Sequence, residues 1–178
     1  MAIKGKKVII LDLDLRKRSM SVFADTPKQG VADYLSAQTD DWQNLIVHKV
    51  GGNDLDMLPV GTMPPNPAEL LAEPRLASLL DNLRKDYDYI VLDCPPIEIV
   101  TDADLIAPLA DITIFIIRAG LLERSMLGQV EKFYTSKKYN NMALLLNGTE
   151  ASGRYGYKYG YKYGYHYGHY GSKKEDEI

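Results

Sequence analysis

The chain has 178 residues, with 21 Lys and Arg against 24 Asp and Glu, a formal net charge of −3. Apolar residues make up 46% and charged residues 25%, which suits one soluble core and excludes collagen-like, disulfide-rich and wholly disordered classes. The weak negative charge speaks against general nucleic-acid binding, and no apolar run reaches the ~20 residues that span a bilayer. A single cysteine, Cys94, permits no internal disulfide and no cysteine-based zinc site, as in a reducing compartment.

Val8–Leu13 (VIILDL) reads as a buried strand ending on acidic residues. Leu45–Val50 and Leu55–Val60 are extended candidates around the turn Gly51-Gly52-Asn53-Asp54. Pro59, Pro64, Pro65 and Pro67 punctuate the following loop, and helices are predicted over Pro67–Ala72 and Pro74–Lys85. In the second, Leu76, Leu79, Leu80 and Leu83 fall on one apolar face. Tyr89–Asp93 (YIVLD) is the next strand, stopped by Cys94-Pro95-Pro96. A short helix over Asp102–Leu109, capped by Asp102 or Thr101, precedes the strand Ile112–Ile117, whose lack of alternation implies cover on both faces. A helix over Arg124–Lys137 and a strand over Met142–Asn147 close the series.

Strands alternating with helices give an α/β fold, a mostly parallel open sheet flanked by helices, over residues 1–150. Residues 151–178 differ: Ala151–Gly171 holds eight tyrosines and six glycines. Alternation is formally a strand signal, but regular glycines weaken strands, so a flexible tail is expected. His48 and Cys94 read as structural, Trp42 as cover for the core edge, and His166 and His169 as polar filler.

Parallel α/β sheets place ligands outside the carboxyl ends of their strands. Asp12 and Asp14 follow the first strand and Asp93 ends the Tyr89–Leu92 run. One such aspartate is ordinarily a cap or loop acid. Two strand ends together, with Pro95-Pro96 beside one, point instead to a shared cation such as Mg²⁺.

Val8-Ile9-Ile10-Leu11-Asp12-Leu13-Asp14-Leu15-Arg16 resembles the second Walker motif (Walker A′) of bacterial tyrosine kinases, in the MinD/ParA-like branch of P-loop proteins. Tyr89 through Pro96 resembles their Walker B strand, and Leu58-Pro59-Val60-Gly61 through Pro64-Pro65-Asn66-Pro67 their proline loop. Arg118-Ala119-Gly120, Leu144-Leu145-Leu146-Asn147-Gly148 and the tyrosine cluster complete the resemblance, in order along nearly the whole chain.

The resemblance implies an autokinase that uses Mg-ATP to phosphorylate its tyrosine cluster in trans and regulates capsule and exopolysaccharide export. It implies cytoplasmic placement at the inner membrane face, with homologous kinase chains, a polysaccharide co-polymerase and a tyrosine phosphatase as partners, and no nucleic acid. By resemblance, Asp12 and Asp14 bind Mg²⁺ and position or deprotonate the acceptor tyrosine. Asp93 holds Mg²⁺ through water, and Asn147 lies near the adenine. Tyr155, Tyr157, Tyr159, Tyr161, Tyr163, Tyr165, Tyr167 and Tyr170 are the acceptors.

A phosphate-binding loop needs G-x-x-x-x-G-K-[ST], and the sequence has none. Gly5-Lys6 leads into Lys7 and a strand, where the family has its loop and helix earlier. The chain therefore reads as a kinase domain starting one βα unit late. The expectation is no ATP binding alone, exposed edges at Tyr89–Asp93 and Ile112–Ile117, and marginal stability, aggregation or completion by another chain. Two alternatives stand beside it. The chain can be a non-catalytic phospho-acceptor modified by an intact kinase. Asp12-Leu13-Asp14 can also open a haloacid-dehalogenase-type phosphatase, although Leu15-Arg16-Lys17 departs from that pattern.

Overall fold

The computed structural model describes residues 4–17, 20, 28–97 and 102–149. The tyrosine cluster, Thr101, His166 and His169 lie outside the described residues.

Val8–Asp12 forms β1, Leu55–Leu58 β2 and Tyr89–Asp93 β3, and they build one sheet in the order β2-β1-β3. Both ladders are parallel, with Ile10 opposite Met57 on one side and Val91 on the other. Ile114–Arg118 (β4) and Ala143–Asn147 (β5) pair as a second parallel sheet.

Helices α1 (Val31–Leu35), α2 (Pro67–Ala72), α3 (Pro74–Asp86), α4 (Asp102–Ile106) and α5 (Leu127–Thr135) connect these strands. Pro67 and Pro74 each open a helix, where their missing N–H has no intrahelical partner to lose. Register sorts the first sheet into two faces. Ile9, Leu11, Ile90, Leu92 and Leu58 share one face and pack in the core with Leu70, Leu71, Leu76, Leu79, Leu80 and Leu83. Ile9 and Leu11 are completely buried, so β1 is the spine of the fold.

Side chains tie the second sheet to the first. Arg84 donates to the Leu109 carbonyl, while Lys138 and Tyr139 both bond Asp104 in α4. Phe133 of α5 meets Phe115 and Tyr139 by ring contacts. The other face of β4–β5 is bare: Ile114 and Ile116 lie with Leu145, and Ile116 is 63% exposed.

Several local readings need correction. Leu45–Val50 is no strand: Gln43–Leu45 and Val50–Gly52 are 3₁₀ turns, and only Val47 makes a bridge, to Met57. Lys49 has φ +56°, which breaks extended backbone there. The helices predicted over Asp102–Leu109 and Arg124–Lys137 are each part 3₁₀, and Val31–Leu35 is an additional short helix. Trp42 is buried within the core instead of covering its edge.

Candidate functional site

β1 and β3 run parallel and end together. Their last paired residues are Asp12 and Asp93. The Leu13 N–H donates to the Asp93 carbonyl at 2.9 Å, which fixes the chain just beyond the ladder, and Asp14 follows. Asp12 and Asp14 are buried, and Asp93 is half-buried.

Asp12 Oδ2 accepts a long 3.4 Å bond from the Met20 N–H, and its buried Oδ1 has no partner. Burial pushes the Asp12 carboxyl up to about 6, helped by the charges of Asp93 and Asp14 against the bonds it accepts. Burial, then the Asp14 charge, also raises Asp93. Desolvation and the same carboxylates push the Cys94 thiol up to about 12, so it is inert and packed against the core.

An orphaned carboxylate oxygen beside two further carboxylates is a hard-oxygen, negative donor set, which fits Mg²⁺. Among the described residues no three such side chains close around one ion-sized point. A cation here would have to be held partly through water, the habit of Mg²⁺.

Arg16 feels the charge of Asp14 but gives its hydrogen bonds to another carboxylate. Its Nε and Nη2 bond the two oxygens of Asp102 at 2.9 and 3.1 Å, and Asp102 is 1% exposed. Asp102 is thus the first residue of α4 and an ion-pair partner, tying the end of β1 to that helix.

Asn147 ends β5 in the second sheet, where its Oδ1 accepts from the Gly148 N–H and its carbonyl from the Ala119 N–H. His48 is exposed and pairs with Asp56 at 2.9 Å, a structural contact. A polar groove between α3 and the turns before β4 and β5, lined by Arg84, Asn140 and Asn141, contains none of the three aspartates.

Sequence reasoning missed Asp33. Its buried Oδ2 accepts from the Gly30 and Thr62 N–H groups, while Val31 and Ala32 donate to the Pro59 and Val60 carbonyls. The loop after β2 is thereby sewn to α1. A lone Asp in a short helix carries no signal for this.

The AAA domain family model matches residues 1–141. The chain is 27% identical to the solved kinase domain of the Escherichia coli tyrosine kinase Etk, superposing with a TM-score of 0.76 over 90% of this chain and 62% of that one. The chain belongs to the bacterial tyrosine kinases of the MinD/ParA-like type. EpsB of Ralstonia nicotianae is 33% identical over 162 residues, 88% of this chain and 21% of that protein. The chain thus spans about a fifth of the length of this curated relative.

MinD from Pyrococcus horikoshii, solved with Mg-ADP, is 20% identical with a TM-score of 0.63, over 82% of this chain and 59% of that one, and shares the fold. Membership in the kinase family removes the haloacid-dehalogenase reading of Asp12-Leu13-Asp14. No helix among the described residues is long and apolar enough to cross a membrane.

Proposed function

We propose that this chain carries the metal-holding carboxylates of a bacterial protein-tyrosine kinase of capsule or exopolysaccharide synthesis. The observation that carries the reading is the β1–β3 register, which sets Asp12 beside Asp93 with Asp14 next in line and one buried oxygen unpartnered. Mg²⁺, when bound, supplies neutralisation of phosphate charge. Asp12, Asp14 and Asp93 would hold and orient it, and Asp12 and Asp14 would position or deprotonate the acceptor tyrosine. Asn147 serves the adenine, and the tyrosines from Tyr155 to Tyr170 are acceptors, phosphorylated in trans between chains. A polysaccharide co-polymerase and a tyrosine phosphatase are the partners that follow, at the inner face of the membrane.

The chain alone binds no Mg-ATP. Without G-x-x-x-x-G-K-[ST] it has neither the N–H cradle nor the lysine that meets the β- and γ-phosphates. The same absence favours a second reading, a phospho-acceptor modified by an intact kinase.

Incubation with Mg-ATP alone, then with the intact Etk kinase, separates these readings when tyrosine phosphate is located by mass spectrometry. Phosphate appearing only with Etk, on Tyr155–Tyr170, is expected. Micromolar Mg-ATP binding by the chain alone overturns the claim that these residues bind none. A tail left unmodified by Etk overturns the acceptor role.

A further inference from the structure

Five tyrosines lie among the described residues, and four are committed to the fold. The Tyr87 hydroxyl donates to Asp56 and the Tyr139 hydroxyl to Asp104. Tyr34 is buried beneath the Arg75 guanidinium, which sits 4.3 Å from the centre of its ring. Tyr89 opens β3, and its main chain is held in the ladder to β1. Tyr134 differs from all four. It is 66% exposed, and its hydroxyl makes no hydrogen bond among the described residues.

Its place in the chain makes that hydroxyl presentable. Tyr134 is the penultimate residue of α5, which ends at Thr135, and Lys137 then turns the chain at φ +52°. Every residue from Tyr134 to Lys138 is exposed. A helix end that projects in this way can enter the cleft of a second protein without opening the core.

The sequence around Tyr134 repeats a feature of the tyrosine cluster. Lys137 stands three positions after it, as Lys158, Lys162 and Lys173 stand after Tyr155, Tyr159 and Tyr170. Tyr34, Tyr87, Tyr89 and Tyr139 have Ala37, Ile90, Leu92 and Met142 at that position. Charge agrees with spacing. Ala151–Gly171 contains no acidic residue, and around Tyr134 the lysines Lys132, Lys137 and Lys138 outnumber Glu131. A kinase whose site gathers carboxylates, as Asp12, Asp14 and Asp93 gather here, attracts such basic segments.

We propose that Tyr134 is a further phospho-acceptor of this chain, modified in trans by a tyrosine kinase of the same family. The Tyr134 hydroxyl oxygen attacks the γ-phosphorus of ATP and the bond from that phosphorus to its bridging oxygen breaks. ADP leaves, and a carboxylate of the modifying kinase takes the hydroxyl proton. The product places a charge of about −1.5 to −2 in the last turn of α5, within a stretch that holds three lysines. The choice of enzyme rests on the kinase reading; the accessible hydroxyl does not.

The test incubates the full chain with the intact Etk kinase and Mg-ATP and follows phosphate at each tyrosine by mass spectrometry. Phosphate on Tyr134 is expected within the time that modifies the cluster, with Tyr87 and Tyr139 left unmodified. Lys137→Gln should slow modification of Tyr134 roughly tenfold and leave that of Tyr155 unchanged. Phosphate on the cluster without any on Tyr134 overturns the proposal and leaves the kinase reading intact. Phosphate on Tyr134 with the cluster unmodified upholds the proposal and removes the cluster from that reading. Modification of Tyr87 and Tyr139 as fast as Tyr134 also overturns it, because those two hydroxyls are released only when the fold opens.

Discussion

Asp12 and Asp93 close the β1–β3 ladder as its last residue pair, two carboxylates on adjacent parallel strands about 4.8 Å apart in the sheet direction. Among the described residues neither forms a salt bridge with a lysine or arginine, and the Asp12 Oδ1 is buried and unbonded. Native structures rarely leave a buried carboxylate so exposed to its own kind, because the charged form loses hydration and meets repulsion. The arrangement is costly to the fold, and a bound cation would offset that cost.

Asp12 therefore destabilises the protein in its ionised form. Its folded carboxyl titrates at about 6 against an ordinary value of 3.8. The folded state binds the proton more tightly, so stability falls as pH rises through this window and the loss is complete above it. The difference is roughly 3 kcal/mol. Chemical unfolding of the chain and its Asp12→Asn variant should coincide near pH 4, with the variant more stable at pH 7. Equal stabilities at pH 7 would refute the burial of an unpaired charge.

Mg²⁺ should relieve the same repulsion. At ten times its dissociation constant a bound ion adds about 1.4 kcal/mol to the folded state. The melting temperature at pH 7.5 should rise with Mg²⁺ and not with the same concentration of K⁺. Asp12→Asn and Asp93→Asn should each abolish that rise. A shift that survives both substitutions places the cation elsewhere.

The loop after β2 depends on Gly61. Its φ is +78°, and a Cβ there would run into the Gly30 nitrogen and the Asp33 Oδ2. Gly61→Ala should cost about 2–4 kcal/mol, since neither backbone nor buried carboxylate can yield. Gly52, at φ +75° in open space, gives the control: Gly52→Ala should cost only about 1 kcal/mol. Urea titration of both variants tests the contrast.

What the sequence made legible followed from local rules. Tyr89–Asp93 and Pro67–Ala72 have the predicted bounds, because prolines and a run of β-branched and aromatic residues mark them. The Asp12–Asp93 pairing was approachable because strand ends in a parallel sheet share one side. Contacts distant in sequence were not legible. Arg16 reaches Asp102 across 86 positions and Asp33 reaches Thr62 across 29, and neither pair leaves a periodic trace. Leu45–Val50 failed for a local reason: left-handed Lys49 interrupts an otherwise strand-like run.

The Arg16–Asp102 pair should be strongly asymmetric. Asp102 is buried, whereas the Arg16 side chain is 41% exposed. Arg16→Ala leaves a buried carboxylate without its fork and should cost about 2–3 kcal/mol, discounted for the solvent that reaches the guanidinium. Arg16→Ala combined with Asp102→Asn should recover part of that loss. Purely additive effects in the double-mutant cycle would show that the two residues do not stabilise each other.

Ile114, Ile116 and Leu145 share the bare face of the β4–β5 sheet, with Ile112 at 62% exposure beside it. Two parallel strands with an uncovered apolar face are a site of self-association. The chain should therefore sediment as a mixture at micromolar concentration. Ile116→Lys with Leu145→Lys should shift it toward monomer, because each lysine puts a hydrated charge on that face without touching the Ile9–Leu11 core. Sedimentation that stays unchanged in the double variant would place the association on another surface.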